Sequence, residues 1–207
     1  MTLEELDRED GLVVLCLRNI GPYENNIFVV SDEGSREAYI IDGGYEPEQV
    51  AEAARDLNVR SILVTHGHTD HHEHVRELRE LLNRTRVGIG IDDAAMLSVE
   101  ADDLIVDQQA FNLGGGGRAL RAIHTPGHTP GSTCFLIGKH LFTGDTLFPG
   151  GPGNTQRDAA RFERIIGSIR DRLFTLPEDT IVHPGHGRDA TIGAEKPQLD
   201  EWIARGW

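Results

Sequence analysis

The sequence predicts an α+β fold in which two mixed β-sheets pack together with helices on the outside. Short β-prone runs and amphipathic helical patterns alternate along the chain. Hairpin-like spacings in both halves argue against an all-parallel sheet, and sheets with apolar faces must bury them against another layer. With 207 residues, 38% hydrophobic and 26% charged, the chain suits one compact domain spanning 1–207.

Leu12–Leu17, Asn26–Val30 and Ala38–Ile41 read as strands because β-branched and aliphatic residues cluster between turn residues. Pro47–Leu57 follows as a helix, with Val50, Ala53, Ala54 and Leu57 on one face. Ser61–Val64 is a short buried strand, and the next helix carries Val75, Leu78, Leu81 and Leu82. Further strands are expected at Val87–Ile91, Ala119–Ile123, Thr133–Ile137, His140–Thr143 and Thr180–Val182. A helix over Ala159–Phe174 aligns Phe162, Ile165, Ile166, Ile169, Leu173 and Phe174 in one stripe, and Ala194–Ile203 closes the chain as a last helix. No repeat at solenoid periods is present.

The formal net charge of −14 repels phosphate backbones, and no basic run interrupts it, so nucleic acid is not an expected partner. No stretch reaches the roughly 20 apolar residues of a membrane span. The acidic start, Met1–Asp7, lacks the basic and apolar regions of a secretory signal. These features predict a cytoplasmic protein that does not engage membranes. Cys16 and Cys134 fall in apolar runs away from the histidines, which predicts buried free thiols.

Chemistry concentrates in Thr65-His66-Gly67-His68-Thr69-Asp70-His71-His72, where a buried strand ends and a helix begins. Imidazole and carboxylate are the donors preferred by zinc and related first-row ions. His66 and His68 can grip one ion while Asp70 and His71 face a second. More donors stand at strand ends: His124 and His128 in His124-Thr125-Pro126-Gly127-His128-Thr129-Pro130-Gly131-Ser132, Asp145 in Phe142-Thr143-Gly144-Asp145-Thr146-Leu147-Phe148, and His183 and His186 in His183-Pro184-Gly185-His186-Gly187. Each such turn is a weak signal, and together they read as one convergent site. Gly114–Gly117 lacks the Lys-Ser/Thr of a phosphate loop and reads as a turn. Gly150–Asn154 follows Asp145 closely and is expected to border a substrate pocket.

In order and spacing these motifs resemble the metallo-β-lactamase superfamily from Asn26 to about Ile192. The resemblance implies a four-layer αββα sandwich with two divalent metal ions at one edge, zinc foremost, with iron or manganese as alternatives. By position, His66, His68 and His128 would hold the first metal, Asp70, His71 and His186 the second, and Asp145 would bridge them. Family position selects His128 over His124 and His186 over His183, which then buttress the ligand turns. His72 and His74 are expected on the first turn of a helix, and His140 at the start of a strand. Asp42 matches an aspartate that supports the metal-binding loop.

The ligand set is similar to that of glyoxalase II-type thioesterases, and the chain resembles their compact single-domain bacterial relatives. This implies hydrolysis of a small acyl thioester through a metal-bridging hydroxide, with Asp70 orienting that hydroxide and taking its proton. Glutathione-using relatives carry a basic residue after the Gly-rich loop. Here Gly153-Asn154-Thr155 has none, which leaves the thiol open, with Arg157 and Arg188 as other cations that could meet substrate. Two alternatives are implied by the same fold: a persulfide dioxygenase with one iron on His66, His128 and Asp145, and a lactonase or β-lactamase-type hydrolase.

Overall fold

The structure is a computed structural model that describes residues 2–206. The N-terminal half forms one seven-stranded sheet, built from β1 (Thr2–Glu9), β2 (Leu12–Ile20), β3 (Asn25–Asp32), β4 (Glu37–Ile41), β5 (Asn58–Val64), β6 (Arg86–Gly90) and β7 (Asp103–Ile105) in sequence order. The first four strands pair antiparallel, whereas β4 to β7 pair parallel. Parallel neighbours need a crossover. Those after β4 and β5 carry α1 (Pro47–Ala53) and α2 (Val75–Leu81).

The second sheet has six strands: β8 (Ala110–Leu113), β9 (Arg118–His124), β10 (Thr133–Ile137), β11 (His140–Gly144), β14 (Ile181–Pro184) and β15 (Ala190–Thr191). A two-stranded ribbon, β12 (Leu147–Phe148) with β13 (Gly151–Pro152), lies between β11 and α3 (Ala159–Ser168) in the chain. After β15 come α4 (Ile192–Glu195) and α5 (Leu199–Arg205).

Side-chain alternation sorts the apolar residues into three cores. Val14, Cys16, Phe28, Val30, Tyr39, Ile41 and Leu63 of the first sheet meet Phe111, Leu120, Ala122, Phe135 and Phe142 of the second. The opposite face of the first sheet buries Ile27, Val29, Ile40 and Ile62 against Val50, Val75 and Leu78 of α1 and α2. The opposite face of the second buries Cys134, Leu141 and Val182 against Ile165, Ile169, Leu173 and Trp202. The order of layers is therefore helix, sheet, sheet, helix, with both sheets mixed, as the sequence predicts.

The departures from expectation have local causes. Periodicity assigns no element to residues 2–9, yet β1 forms the edge of the first sheet. Its half-exposed, charge-rich pattern hides the alternation, and charge is what an edge strand uses to resist further pairing. The helix expected through Leu57 stops at Ala53, and Leu57 packs against the core from a turn. The closing helix is interrupted at Lys196–Gln198 by Pro197, which cannot donate to the preceding turn. The helix after β13 continues beyond Ser168 as one π-helical turn, Ile169–Leu173. Gly114–Gly117 is the turn joining β8 to β9.

Candidate metal centre

Each donor of the candidate site stands just past a strand. β4 and β5 run parallel with Ile41 opposite Leu63, so Asp42 and the Thr65–His71 loop emerge side by side. β11 and β14 are also parallel, with Gly144 opposite Pro184, which sets Asp145 beside Gly185 and His186. The sheets meet at this edge: the Thr133 amide donates to the Thr65 carbonyl at 2.9 Å and the Asn26 amide to the Gly185 carbonyl at 2.7 Å. Gly185 has to be glycine, because a Cβ there would lie 2.6 Å from His71 Cε1 and 2.7 Å from Asp145 Oδ1.

All seven donors expected from the sequence come together. Three overlapping groups form, namely His66 with His68 and His128, His66 with His71 and Asp145, and Asp70 with His71 and His186, the ligand atoms of each lying within 4.8 Å of one another. Nδ1 of His68 lies 3.0 Å from His66 Nε2 and 2.8 Å from His128 Nε2. Asp145 sits between the outer groups, with Oδ2 3.5 Å from His128 Nε2 and Oδ1 3.5 Å from His71 Nε2 and 3.6 Å from His186 Nε2. Asp70 Oδ2 lies 3.2 Å from His186 Nε2 and 3.4 Å from His71 Nε2.

The surrounding hydrogen bonds decide which ring nitrogen faces inward. His128 Nδ1–H donates to the Asn154 carbonyl at 2.8 Å, and His186 Nδ1–H to the Tyr23 carbonyl at 2.8 Å. His71 Nδ1–H donates to Asp42 Oδ2 at 2.8 Å. Thr65 Oγ1–H is used on Asp42 Oδ2 at 3.0 Å, so the Thr65 oxygen accepts from His66 Nδ1–H at 3.2 Å. In these four rings Nδ1 is the outer donor and Nε2 faces into the cluster, whereas His68 turns its Nδ1 inward. Asp42 also accepts the Thr65 amide at 2.8 Å. It is buried and holds a φ of 65°, a left-handed conformation rare for a non-glycine residue and costly to maintain.

Electrostatics point the same way. Burial, with neighbouring imidazoles adding to it, pushes His66 well below the ordinary histidine range. Burial likewise lowers His68 and His128. Burial also opposes charge on His71, but Asp42 and Asp145 outweigh it and raise that ring well above the ordinary value. Asp145 and Asp70 are held down despite burial, the first by His71, His186 and His128, the second by hydrogen bonding to His186 and the charge of His71. The carboxylates thus call for positive charge among convergent lone pairs. His71 Nε2 and Asp145 Oδ1 are buried with no hydrogen-bond partner, an arrangement that costs free energy unless a cation completes it. The donor set fits divalent ions with nitrogen and oxygen ligands.

The other histidines take supporting places. His124 Nε2 donates to the Pro130 carbonyl at 2.8 Å, and His72 Nε2 to the Gly67 carbonyl at 3.2 Å. His140 and His183 stack on each other inside the second sheet, 3.0 Å apart through Nδ1 and Nε2. Several functional neighbours escape sequence reasoning. Asn25 donates to Asp70 Oδ2 at 3.0 Å, and Asn26 donates to the carbonyls of Pro184 and Gly187, each at 3.0 Å. Arg161 donates to the carbonyls of Gly127 and His128. Only the paired asparagines at the head of an apolar strand offer a sequence signal; Arg161 sits on a helix among many arginines. Arg157 lines a cavity with Asn154, Thr155 and Gly206, and Arg188 is exposed.

Residues 20–186 match the metallo-beta-lactamase superfamily, and the chain belongs to that superfamily. It is 33% identical over 193 residues to hydroxyacylglutathione hydrolase GloC of Haemophilus influenzae, covering 84% of this chain and 91% of that protein. Among solved structures, ETHE1 from Myxococcus xanthus is 28% identical with a TM-score of 0.72, covering 95% of this chain and 82% of the other. TTHA1623, solved in a di-iron-bound form, is 29% identical with a TM-score of 0.73, covering 87% and 96%. The chain is thus a hydrolase of this superfamily with the metallo-β-lactamase fold and His/Asp clusters suited to divalent metals.

Proposed function

We propose that the chain is a dinuclear metal-dependent thioesterase acting on a small acyl thioester. The observation that carries this is Asp145, whose two oxygens face two separate donor groups, each drawn from both sheets. His66, His68 and His128 would hold one ion and Asp70, His71 and His186 the other, with zinc, iron or manganese all compatible with these donors. A bound pair of such ions supplies Lewis acidity toward a carbonyl oxygen and lowers the pKa of water.

The chain's own residues do the rest. Asp70, tethered by Asn25, orients the attacking water and accepts its proton on a carboxylate oxygen. Asp42 and the backbone carbonyls of Tyr23 and Asn154 keep the imidazoles turned inward. Phe148 stacks on His186 at the edge of the centre. A thiolate leaves readily, so no general acid beyond the centre is required, and no serine or cysteine nucleophile is needed. The 33% identity to a hydroxyacylglutathione hydrolase supports a thioester over a lactam or lactone. A one-iron oxygenase on His66, His128 and Asp145 would leave Asp70, His71 and His186 converging without use, which favours the two-ion hydrolase.

The test is turnover of S-D-lactoylglutathione and a panel of other acyl thiols by zinc-loaded and iron-loaded protein, with metal counted in the same samples. Two ions per chain with thioester cleavage is the expected result. One iron per chain with oxygen uptake, or no turnover of any acyl thiol, would overturn it.

A further inference from the structure

We infer that Asp93 is the positioning residue of the first metal group, holding the His66–His68 loop and the His128 turn at a fixed separation. The inference rests on the dinuclear reading above. Asp93 lies in the 3₁₀ turn Ile91–Met96 that follows β6, outside every motif used so far, and is fully buried. Its Oδ2 accepts the Gly67 amide at 2.8 Å and the Thr129 hydroxyl at 2.6 Å, and its Oδ1 accepts the Gly131 amide at 2.7 Å.

Gly67 lies between His66 and His68, and Thr129 follows His128 directly. One carboxylate therefore touches residues next to all three donors of this group, through the Gly67 amide and the Thr129 hydroxyl, and none of the donors themselves. Among the described residues no lysine or arginine pairs with it; its three hydrogen-bond partners are neutral donors, so it is held by geometry rather than by an ion pair.

The contact also accounts for the tail of the Thr-Pro-Gly-His-Thr-Pro-Gly-Ser motif, which metal ligation alone leaves unexplained. Thr129 supplies the hydroxyl, Ser132 Oγ accepts the Thr129 amide at 3.0 Å, and Gly131 admits the close approach. A Cβ on Gly131 would lie 2.5 Å from Asp93 N and 2.7 Å from Asp93 Cγ. On the other side Met96, from the same 3₁₀ turn, closes on Gly67, where a Cβ would meet Met96 Cβ at 2.7 Å. The segment is a wedge between two ligand loops. Asp42, also buried, supports the second group directly through His71 and reaches the first only through Thr65, which orients His66.

Asp93→Asn keeps the side chain's size but turns an amide N–H₂ toward Gly67 N–H or Gly131 N–H, neither of which can accept. Its effect is read by metal titration against a chromophoric chelator and by the absorption of cobalt-substituted protein, with circular dichroism and Tm confirming the fold. The expected result is loss of roughly 10- to 100-fold in affinity for one ion, the usual cost of removing a ligand's outer support, with the other ion retained. Thr129→Val should show a smaller loss at the same ion, and Asp42→Asn a loss at the other one. A merely structural role would lower Tm and leave both affinities matched. If wild-type protein takes up two ions and Asp93→Asn binds both with unchanged affinity, the assignment to Asp93 fails. If wild-type protein takes up fewer than two, the dinuclear reading itself fails. Should Asp93→Asn not fold, Thr129→Val decides by the same readout.

Discussion

At the scale of single residues, burial and charge divide the titratable groups into those that can react and those that cannot. Burial pushes the Cys16 thiol up to about 12 and the Cys134 thiol up to about 11, so neither carries appreciable thiolate near neutral pH. Ellman's reagent should therefore find no fast-reacting thiol in the native protein and both thiols after denaturation. A rapid native reaction would refute this. Asp70 is the opposite case, a partly buried carboxylate held low by His186 and His71 and so ionised at neutral pH. Asp70→Asn should lower kcat about 10²- to 10⁴-fold, the range for loss of a general base, and weaken one metal ion. A kcat within threefold of wild type would remove Asp70 from the mechanism. Among ligands, the histidines and aspartates were legible because their spacing and strand-end placement are unusual. Asn25, Asp93 and Arg161 were not, since each acts through one hydrogen bond or a few whose partners are distant in sequence.

At the scale of elements, strands with clean apolar runs, such as β3, β4 and β10, could be read from periodicity. The short or polar ones could not. β7, β8, β12, β13 and β15 have between two and four residues, too few for a period to declare itself, and they exist because neighbours supply the pairing. Helix α3 shows how an element serves the site. Asp158 caps it by accepting the amides of Ala160 at 2.9 Å and Arg161 at 3.0 Å, and Arg161 then reaches the carbonyls beside His128. Asp158→Ala should cost about 1 kcal/mol, a fall of roughly 2–4 °C in Tm for a chain of this size. Calorimetry with an unchanged Tm would show that the cap carries no weight.

At the scale of the whole molecule, stability and metal loading are linked. In the metal-free chain His71 is raised above its unfolded value, so its contribution is complete below that unfolded value and disappears as pH climbs through the folded one. Asp145 and Asp70 are depressed, so theirs is present above the unfolded carboxylate value and lost as pH falls through the folded one. A cation substitutes for the His71 proton and competes with it. The gain in Tm on adding metal should therefore keep widening as pH rises above the ordinary histidine value and toward the raised folded value of His71; a gain that is flat or shrinks with pH there would contradict this. No helix among the described residues is long and apolar enough to cross a membrane. The sandwich itself was foreseeable from alternating elements, but its four layers came from family resemblance, because no local pattern says which sheet faces which.

Every donor group draws from both halves of the chain: His66, His68, Asp70 and His71 leave the first sheet, while His128, Asp145 and His186 leave the second. Bound ions would therefore staple the halves together at one rim only, leaving the far rim, with its turns at 34–36 and 115–117, held by side-chain packing and by polar contacts such as Arg118 to Asp32 and the Gly114 amide to Glu37. Amide exchange in the loaded protein should slow along a gradient, steepest beside β5, β9 and β14 and vanishing toward those distant turns. The sandwich would then open like a book whose spine is its ligand edge.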